Sequence, residues 1–362
     1  MIDADVHQNL SSIEDLLPYL PKGHRDHILH GGYEGVGFPE YPWTHPEGFW
    51  RRDASPPTGG PPGSDYETLR QQLLDPYGVD YAILTGEDIV TASAMASPHL
   101  ASALCSAYND WLCEHWLPRD ARLKGSVAVA VQDPQGAAAE IRRVGDHPDL
   151  VQVLLPTGAR AGYGHPQYHP IYEAAEELGL VLGIHVGADG CGTMGAPTAT
   201  GWPTYYIEWH TLLATAMMSH LVSLVCHGVF DRFPKLRVTL IEGGVCWLPG
   251  LLWRLDADYK ALRMEVPWLT RLPSEYVHEH VRLTTQPLER PDRTRDLRAV
   301  LELVGKDLLL FATDYPHWDF DNPQFIPLAN EWADDVLDTN ARAWYGLPAR
   351  AREPVDVAPA TA

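Results

Sequence analysis

The chain has 362 residues, 45% of them hydrophobic, and a formal net charge of −21. That length and apolar content suffice for one large α/β core. The acidity excludes the basic stripe that nucleic-acid binding needs and disfavours anionic membranes.

Along the chain, strand-length apolar runs alternate with helix-length segments. The runs are Ile2–His7, Val79–Leu84, Ser126–Val131, Leu150–Leu155, Val181–His185, Arg237–Ile241, Val281–Thr284 and Leu308–Thr313. Helical periodicity marks Ser97–Leu117, Pro134–Val144, Pro170–Leu178, His210–Phe230 and Arg293–Val304. Near-continuous apolar strands separated by helices predict a parallel sheet covered on both faces. Eight such units in one chain predict a (β/α)8 TIM barrel rather than an open doubly wound sheet. No Gly-x-Gly-x-x-Gly follows a strand, which argues against dinucleotide binding.

Two stretches rich in Gly and Pro break the alternation, at 31–64 and 187–206. In a barrel both would lie over the catalytic face as long lid loops. Residues 1–349 read as a single domain, and the Pro/Ala-rich tail 350–362 is expected to be disordered. No run of eighteen apolar residues is found, so no membrane span is expected. The chain starts directly in a strand, which leaves no room for a signal peptide. Five cysteines without a Cys-x-x-Cys pair suit reduced thiols in a cytoplasmic protein.

Chemistry concentrates at the ends of three runs. Asp5 and His7 lie two apart on the first and face the same side. His185 ends a middle run and Asp314 follows the last. An apolar run that stops at His or Asp places a polar group where a buried strand meets a loop. Together Asp5, His7, His185 and Asp314 predict a metal site at the barrel mouth. A mixed nitrogen and oxygen set favours Zn²⁺, with Mn²⁺ or Fe²⁺ as alternatives. No lysine lies within the runs to bridge two ions as a carbamate, so one divalent ion is expected.

Other candidates surround this set. Glu242 ends the sixth run, where it would serve as general acid or base beside the ion, or else cap the next helix. His317 follows Asp314 by three residues, placed to orient Asp314 or to touch substrate. Arg51 and Arg52 in the first lid are candidates for binding a carboxylate. Trp43, Trp50, Trp202 and Trp209 fall in or beside the lids, where tryptophans line apolar pockets. His210, His220 and His227 read as surface or packing histidines of one helix, and Asp189 as a turn residue. The absence of Gly-x-Ser-x-Gly, and of a partner for Cys191, argues against a covalent hydrolase.

The motifs Asp5-x-His7, His185-Val-Gly187, GVFDRFPKLRVTLIEGG from Gly228 to Gly244, TDYPHWD from Thr313 to Asp319, and NARAWYGL from Asn340 to Leu347 carry a resemblance. The chain resembles the amidohydrolase-related family of the amidohydrolase superfamily, in the branch with aminocarboxymuconate-semialdehyde and resorcylate decarboxylases. The resemblance implies a (β/α)8 barrel with one divalent ion held by Asp5, His7, His185 and Asp314. It also places Arg70 where decarboxylase members hold a substrate carboxylate. Two departures stand out: Asp5 where the family often has His or Glu, and Glu242-Gly243-Gly244 where many members have His-Gly-Gly.

The second departure favours metal-dependent hydrolysis of a small cyclic or aromatic substrate, with Glu242 or Asp314 taking a proton from water. The alternative is non-oxidative decarboxylation of an aromatic or unsaturated acid, with Glu242 or His317 as the acid. Expected partners are a small-molecule substrate and, through helix tryptophans such as Trp253, Trp268 and Trp332, a second copy in a homodimer.

Overall fold

The computed structural model describes residues 1–31, 33, 35–36, 49–328 and 330–349. Trp43 and the tail 350–362 lie outside the described residues. Eight parallel strands run in sequential order: β1 (Ile2–Val6), β2 (Tyr81–Leu84), β3 (Leu123–Ala128), β4 (Leu150–Pro156), β5 (Val181–His185), β6 (Val238–Ile241), β7 (Val281–Thr284) and β8 (Leu309–Leu310). Backbone bonds from Ala4 N to Phe311 O (2.9 Å), His7 N to Tyr315 O (2.8 Å) and Asp314 N to Asp5 O (3.2 Å) bring β1 against the segment after β8. The result is the expected (β/α)8 TIM barrel with helices around it.

The predicted run Leu308–Thr313 shrinks to two strand residues for a local reason. Beyond Leu310, side chains take the place of ladder partners: Ala312 N donates to Thr285 Oγ1 (3.2 Å) and Thr313 N to Asp3 Oδ1 (3.0 Å). The third strand begins three residues before its predicted start, at Leu123. β1 carries a register slip between Asp3 and Val6. One extra residue there turns the chain. Ile2 and Ala4 join an apolar cluster with Ile83, Val181 and Leu310, whereas Asp5 and His7 join the polar group described below.

The last helix, Asn340–Tyr345, packs onto the same cluster. Tyr345 OH donates to Gln152 Oε1 (2.9 Å) and Trp344 Nε1 to Thr239 Oγ1 (3.0 Å), so the polar atoms buried there are paired.

The single helix expected over His210–Phe230 is three: Tyr206–Thr211, Ala214–Cys226 and Val229–Arg232. The last break falls at Gly228, whose φ of +68° suits glycine. The stretch Tyr206–Cys226 has a mean hydropathy of 1.3 and is long and apolar enough to cross a membrane by length and composition alone. It contains no run of eighteen apolar residues, since Glu208, His210 and His220 interrupt it, and it is divided at Leu212 and Leu213. Its inner residues Met217, Leu221, Leu224 and Val225 are packed in the main core. All five cysteines are free.

Candidate metal centre and cleft

Asp5 and His7 come from the end of β1, His185 from the end of β5, Glu242 from the residue after β6, and Asp314 and His317 from the loop after β8. All six are buried. His7 Nε2 lies 3.0 Å from Asp314 Oδ1 and 3.7 Å from Asp5 Oδ1. His185 Nε2 lies 3.5 Å from Asp5 Oδ2 and 3.3 Å from Glu242 Oε2. His317 Nδ1 lies 2.6 Å from Asp314 Oδ1. Two donors that each sit about 2.1 Å from one ion stand about 3 Å apart, which is the spacing found.

Five buried atoms of this group lack a hydrogen-bond partner: Asp5 Oδ2, His7 Nε2, His185 Nε2, Asp314 Oδ1 and His317 Nε2. Buried polar atoms are rarely left unpaired without a reason. Two overlapping sets, Asp5–His7–His185–Glu242 and His7–Glu242–Asp314–His317, each gather their donor atoms within 4.8 Å. The residues therefore fit a divalent ion, and nothing in the donor set singles out zinc.

Backbone strain marks the same places. Glu242 and Asp314 have φ of +62° and +59°, and Ala188, three residues past His185, has +62°. Such conformations are uncommon outside glycine and gather at functional sites. Glu242 N is anchored on Thr284 Oγ1 at 2.9 Å. Gln286 Nε2 donates to Asp314 Oδ2 and to Asp319 Oδ2, both at 3.0 Å.

Glu87, just past β2, is a buried member of the site that sequence reasoning missed. Its Oε2 lies 3.0 Å from His7 Nδ1 and 3.3 Å from His317 Nε2. Burial pushes the Glu87 carboxyl up, but His7 and His317 outweigh it and hold it well below the usual carboxylate range. Burial pushes Glu242 the other way, and Asp314 and Asp5 add to it, so its carboxyl stands well above that range. Only the strand-end position of Glu87, three residues past Leu84, could have flagged it.

A cleft opens above the cluster. Its apolar wall includes Phe49, Val90, Tyr206, Trp209 and Trp318, and its polar wall Glu87, His185, His210, Glu242, His317 and Asp319. No lysine or arginine lines it among the described residues.

The remaining candidates fall at varied distances from this cleft. Trp50 bridges His317 through the backbone, with ring centroids 5.2 Å apart. The end of the first lid is thereby tied to the loop after β8, with Trp318 N on Phe49 O at 2.9 Å. Arg51 does not line the cleft: it pairs with Asp53 at 2.7 Å and stacks 4.6 Å over Phe320. Arg70, expected as a carboxylate clamp, is also outside the lining; its guanidinium is engaged by Glu67 and Asp75 on its own helix. Trp202 is 59% exposed and lies beside Gly190, outside the lining. Asp189 accepts from Thr157 Oγ1.

His210 reads from sequence as a surface or packing histidine, yet it lines the cleft with its Nε2 3.3 Å from Asp319 Oδ2. Of the helix tryptophans, Trp253 and Trp268 are exposed, whereas Trp332 packs against the core.

The amidohydrolase family profile matches residues 2–347. The chain belongs to this family and is an enzyme of the amidohydrolase superfamily. It is 28% identical over 312 residues to a gamma-resorcylate decarboxylase from Rhizobium radiobacter, covering 79% of this chain and 89% of the relative. It is 24% identical over 297 residues to a 2-amino-3-carboxymuconate-6-semialdehyde decarboxylase from Dictyostelium discoideum, covering 77% and 76%. Among solved structures, a 5-carboxyvanillate decarboxylase from Novosphingobium aromaticivorans, complexed with manganese, superposes with a TM-score of 0.69 at 19% identity over 96% of both chains. A dihydroxybenzoic acid decarboxylase from Polaromonas, with manganese and 2-nitroresorcinol bound, gives 0.67 at 20% identity over 96% of both. These structural likenesses show the barrel.

The curated relatives overturn the expectation of a hydrolase, since each is named a decarboxylase. That expectation treated Glu242 as a free base for water. In the structure its carboxylate shares one group of donor atoms with His185 and Asp5.

Proposed function

We propose that this protein is a metal-dependent, non-oxidative decarboxylase of a small aromatic or unsaturated carboxylic acid. The observation that carries the reading is a buried cluster of carboxylates and imidazoles with orphaned donor atoms, at the base of an aromatic-walled cleft. The decarboxylase names of the curated relatives support it.

Asp5, His7, His185 and Asp314, joined by Glu242, would hold the ion. Carboxylate-rich sets suit manganese, and manganese is the ion in the two relatives' structures described above. A divalent ion held there supplies the positive charge that a substrate carboxylate and an adjacent oxygen need.

The protein's own groups do the rest. The carbonyl of Gly86 and the carboxylate of Glu87 fix the His7 ring through Nδ1, at 3.1 and 3.0 Å, leaving Nε2 aimed into the cluster. Gln286 steers Asp314 through Oδ2. Phe49, Val90, Trp209 and Trp318 offer flat apolar surface to a ring and exclude water from the reacting carbon. The bond between ring carbon and carboxyl carbon breaks, carbon dioxide leaves, and the electron pair left on the ring carbon takes up one proton.

The test is incubation of the manganese-loaded protein with a panel of hydroxybenzoates and unsaturated acids, following carbon dioxide and the decarboxylated product together. Equal amounts of both support the reading. Turnover of lactones or amides with no carbon dioxide from any acid overturns it.

A further inference from the structure

The geometry points to His210 as the group that hands the proton to the substrate carbon, with Asp319 holding it in place. This assignment rests on the decarboxylase reading above.

The two acids that sequence suggested are both absorbed by the cluster. Glu242 stands among the donor atoms beside His185. His317 belongs to the second donor set, with Nδ1 2.6 Å from Asp314 and its unpartnered Nε2 buried in the cluster beside Glu87. A proton donor must be free to approach the substrate carbon, and neither is.

His210 is differently placed. It lines the cleft from the helix Tyr206–Thr211, outside both donor sets. Its Nε2 is 3.3 Å from Asp319 Oδ2, which leaves Nδ1 for the substrate. A carboxylate on one imidazole nitrogen holds the ring in place, the arrangement of a catalytic dyad. Asp319 is itself fixed by Gln286 Nε2 at 3.0 Å. The rings of Tyr206 and Trp318 flank the imidazole at 5.4 and 5.5 Å between centroids.

The step balances without a co-reactant. Protonated His210 gives the proton on Nδ1 to the ring carbon as the carbon–carbon bond electrons collapse onto it. Carbon dioxide leaves, and neutral His210 regains a proton from solvent.

Four variants test this in the manganese-loaded protein: His210→Ala, His210→Asn, Asp319→Asn and Asp319→Glu. Metal content and circular dichroism identify those that fold and load. His210→Ala should lose on the order of 10²–10⁴ in kcat, with little change in KM, and regain part of it with added imidazole. It should also fail to exchange the ring hydrogen of the product in D2O, an exchange the parent protein should carry out. Asp319→Asn should lower kcat with KM retained, and Asp319→Glu should recover part of it. The assignment is overturned if a folded, loaded His210 variant keeps kcat and exchange. A loss confined to KM and blind to imidazole overturns it as well. A parent protein that evolves no carbon dioxide would instead refute the decarboxylase reading itself.

Discussion

His7 Nε2 stands 3.0 Å from Asp314 Oδ1. This side-chain contact joins the first strand to the loop after the last, 307 residues apart in sequence, beside the backbone bonds that close the barrel there. The contact sets Asp314 against a group that already contains the buried carboxylates of Asp5 and Glu242. Packed carboxylates of like charge are costly without a cation. Chelation should therefore lower the melting temperature as well as abolish activity. Restoring an ion at about a hundred times its Kd should return about 2.7 kcal/mol of stability. Thermal melts with chelator, and then with excess Mn²⁺, measure this; a melting temperature blind to both would refute the centre.

Glu242 decides how the cluster is built. If it is one of the ion's ligands, Glu242→Gln should weaken ion affinity on the order of 10–100-fold, measured by equilibrium dialysis. If it acted only on substrate, affinity would be unchanged and only turnover would fall. The donor spacing around His185 Nε2 argues for the first outcome.

The barrel was legible because its signals are local and repeated: eight apolar runs with the right spacing leave few other topologies. Asp5, His7, His185 and Asp314 were legible because each stands where an apolar run ends. Glu87 was not, since Thr85 and Gly86 separate it from its strand and only the fold brings it to His7. His210 was hidden in a helical pattern that reads as continuous through Phe230. The break at Leu212 and Leu213, which separates its short helix from the next, has no glycine or proline to announce it. Arg70 shows the opposite tension. A resemblance supplied a role, but Glu67 three residues before it and Asp75 five after supply nearer partners.

Arg70→Ala should accordingly leave kcat/KM within about twofold of the parent value, as expected of a side chain outside the cleft lining and held by two carboxylates. Steady-state kinetics on whichever acid is turned over will measure it. A rise in KM of tenfold or more would show that the guanidinium leaves Glu67 and Asp75 to reach the substrate.

His220 gives the stability its own dependence on pH. It is buried on the helix Ala214–Cys226, where its Nδ1 accepts from Tyr163 N (3.2 Å) and its Nε2 donates to Thr157 O (2.9 Å). Both nitrogens are thus committed in the neutral ring, and a proton on Nδ1 would face the Tyr163 N–H. Burial holds the His220 pKa below its ordinary value of 6.5, against the smaller opposite pull of the Thr157 carbonyl. The unfolded chain therefore binds a proton at this residue more readily than the folded one. Its contribution is complete above pH 6.5 and drains away as pH falls from there toward the depressed folded value. His220→Gln keeps a donor and an acceptor but cannot titrate. At pH 8 it should cost about 1–3 kcal/mol through imperfect hydrogen bonds. The deficit should shrink as pH is lowered through 6, because only the parent protein loses stability at this position. Denaturation of both proteins at pH 8, 7, 6 and 5 will show the two curves converging, and a constant gap would mean that His220 does not titrate differently on folding.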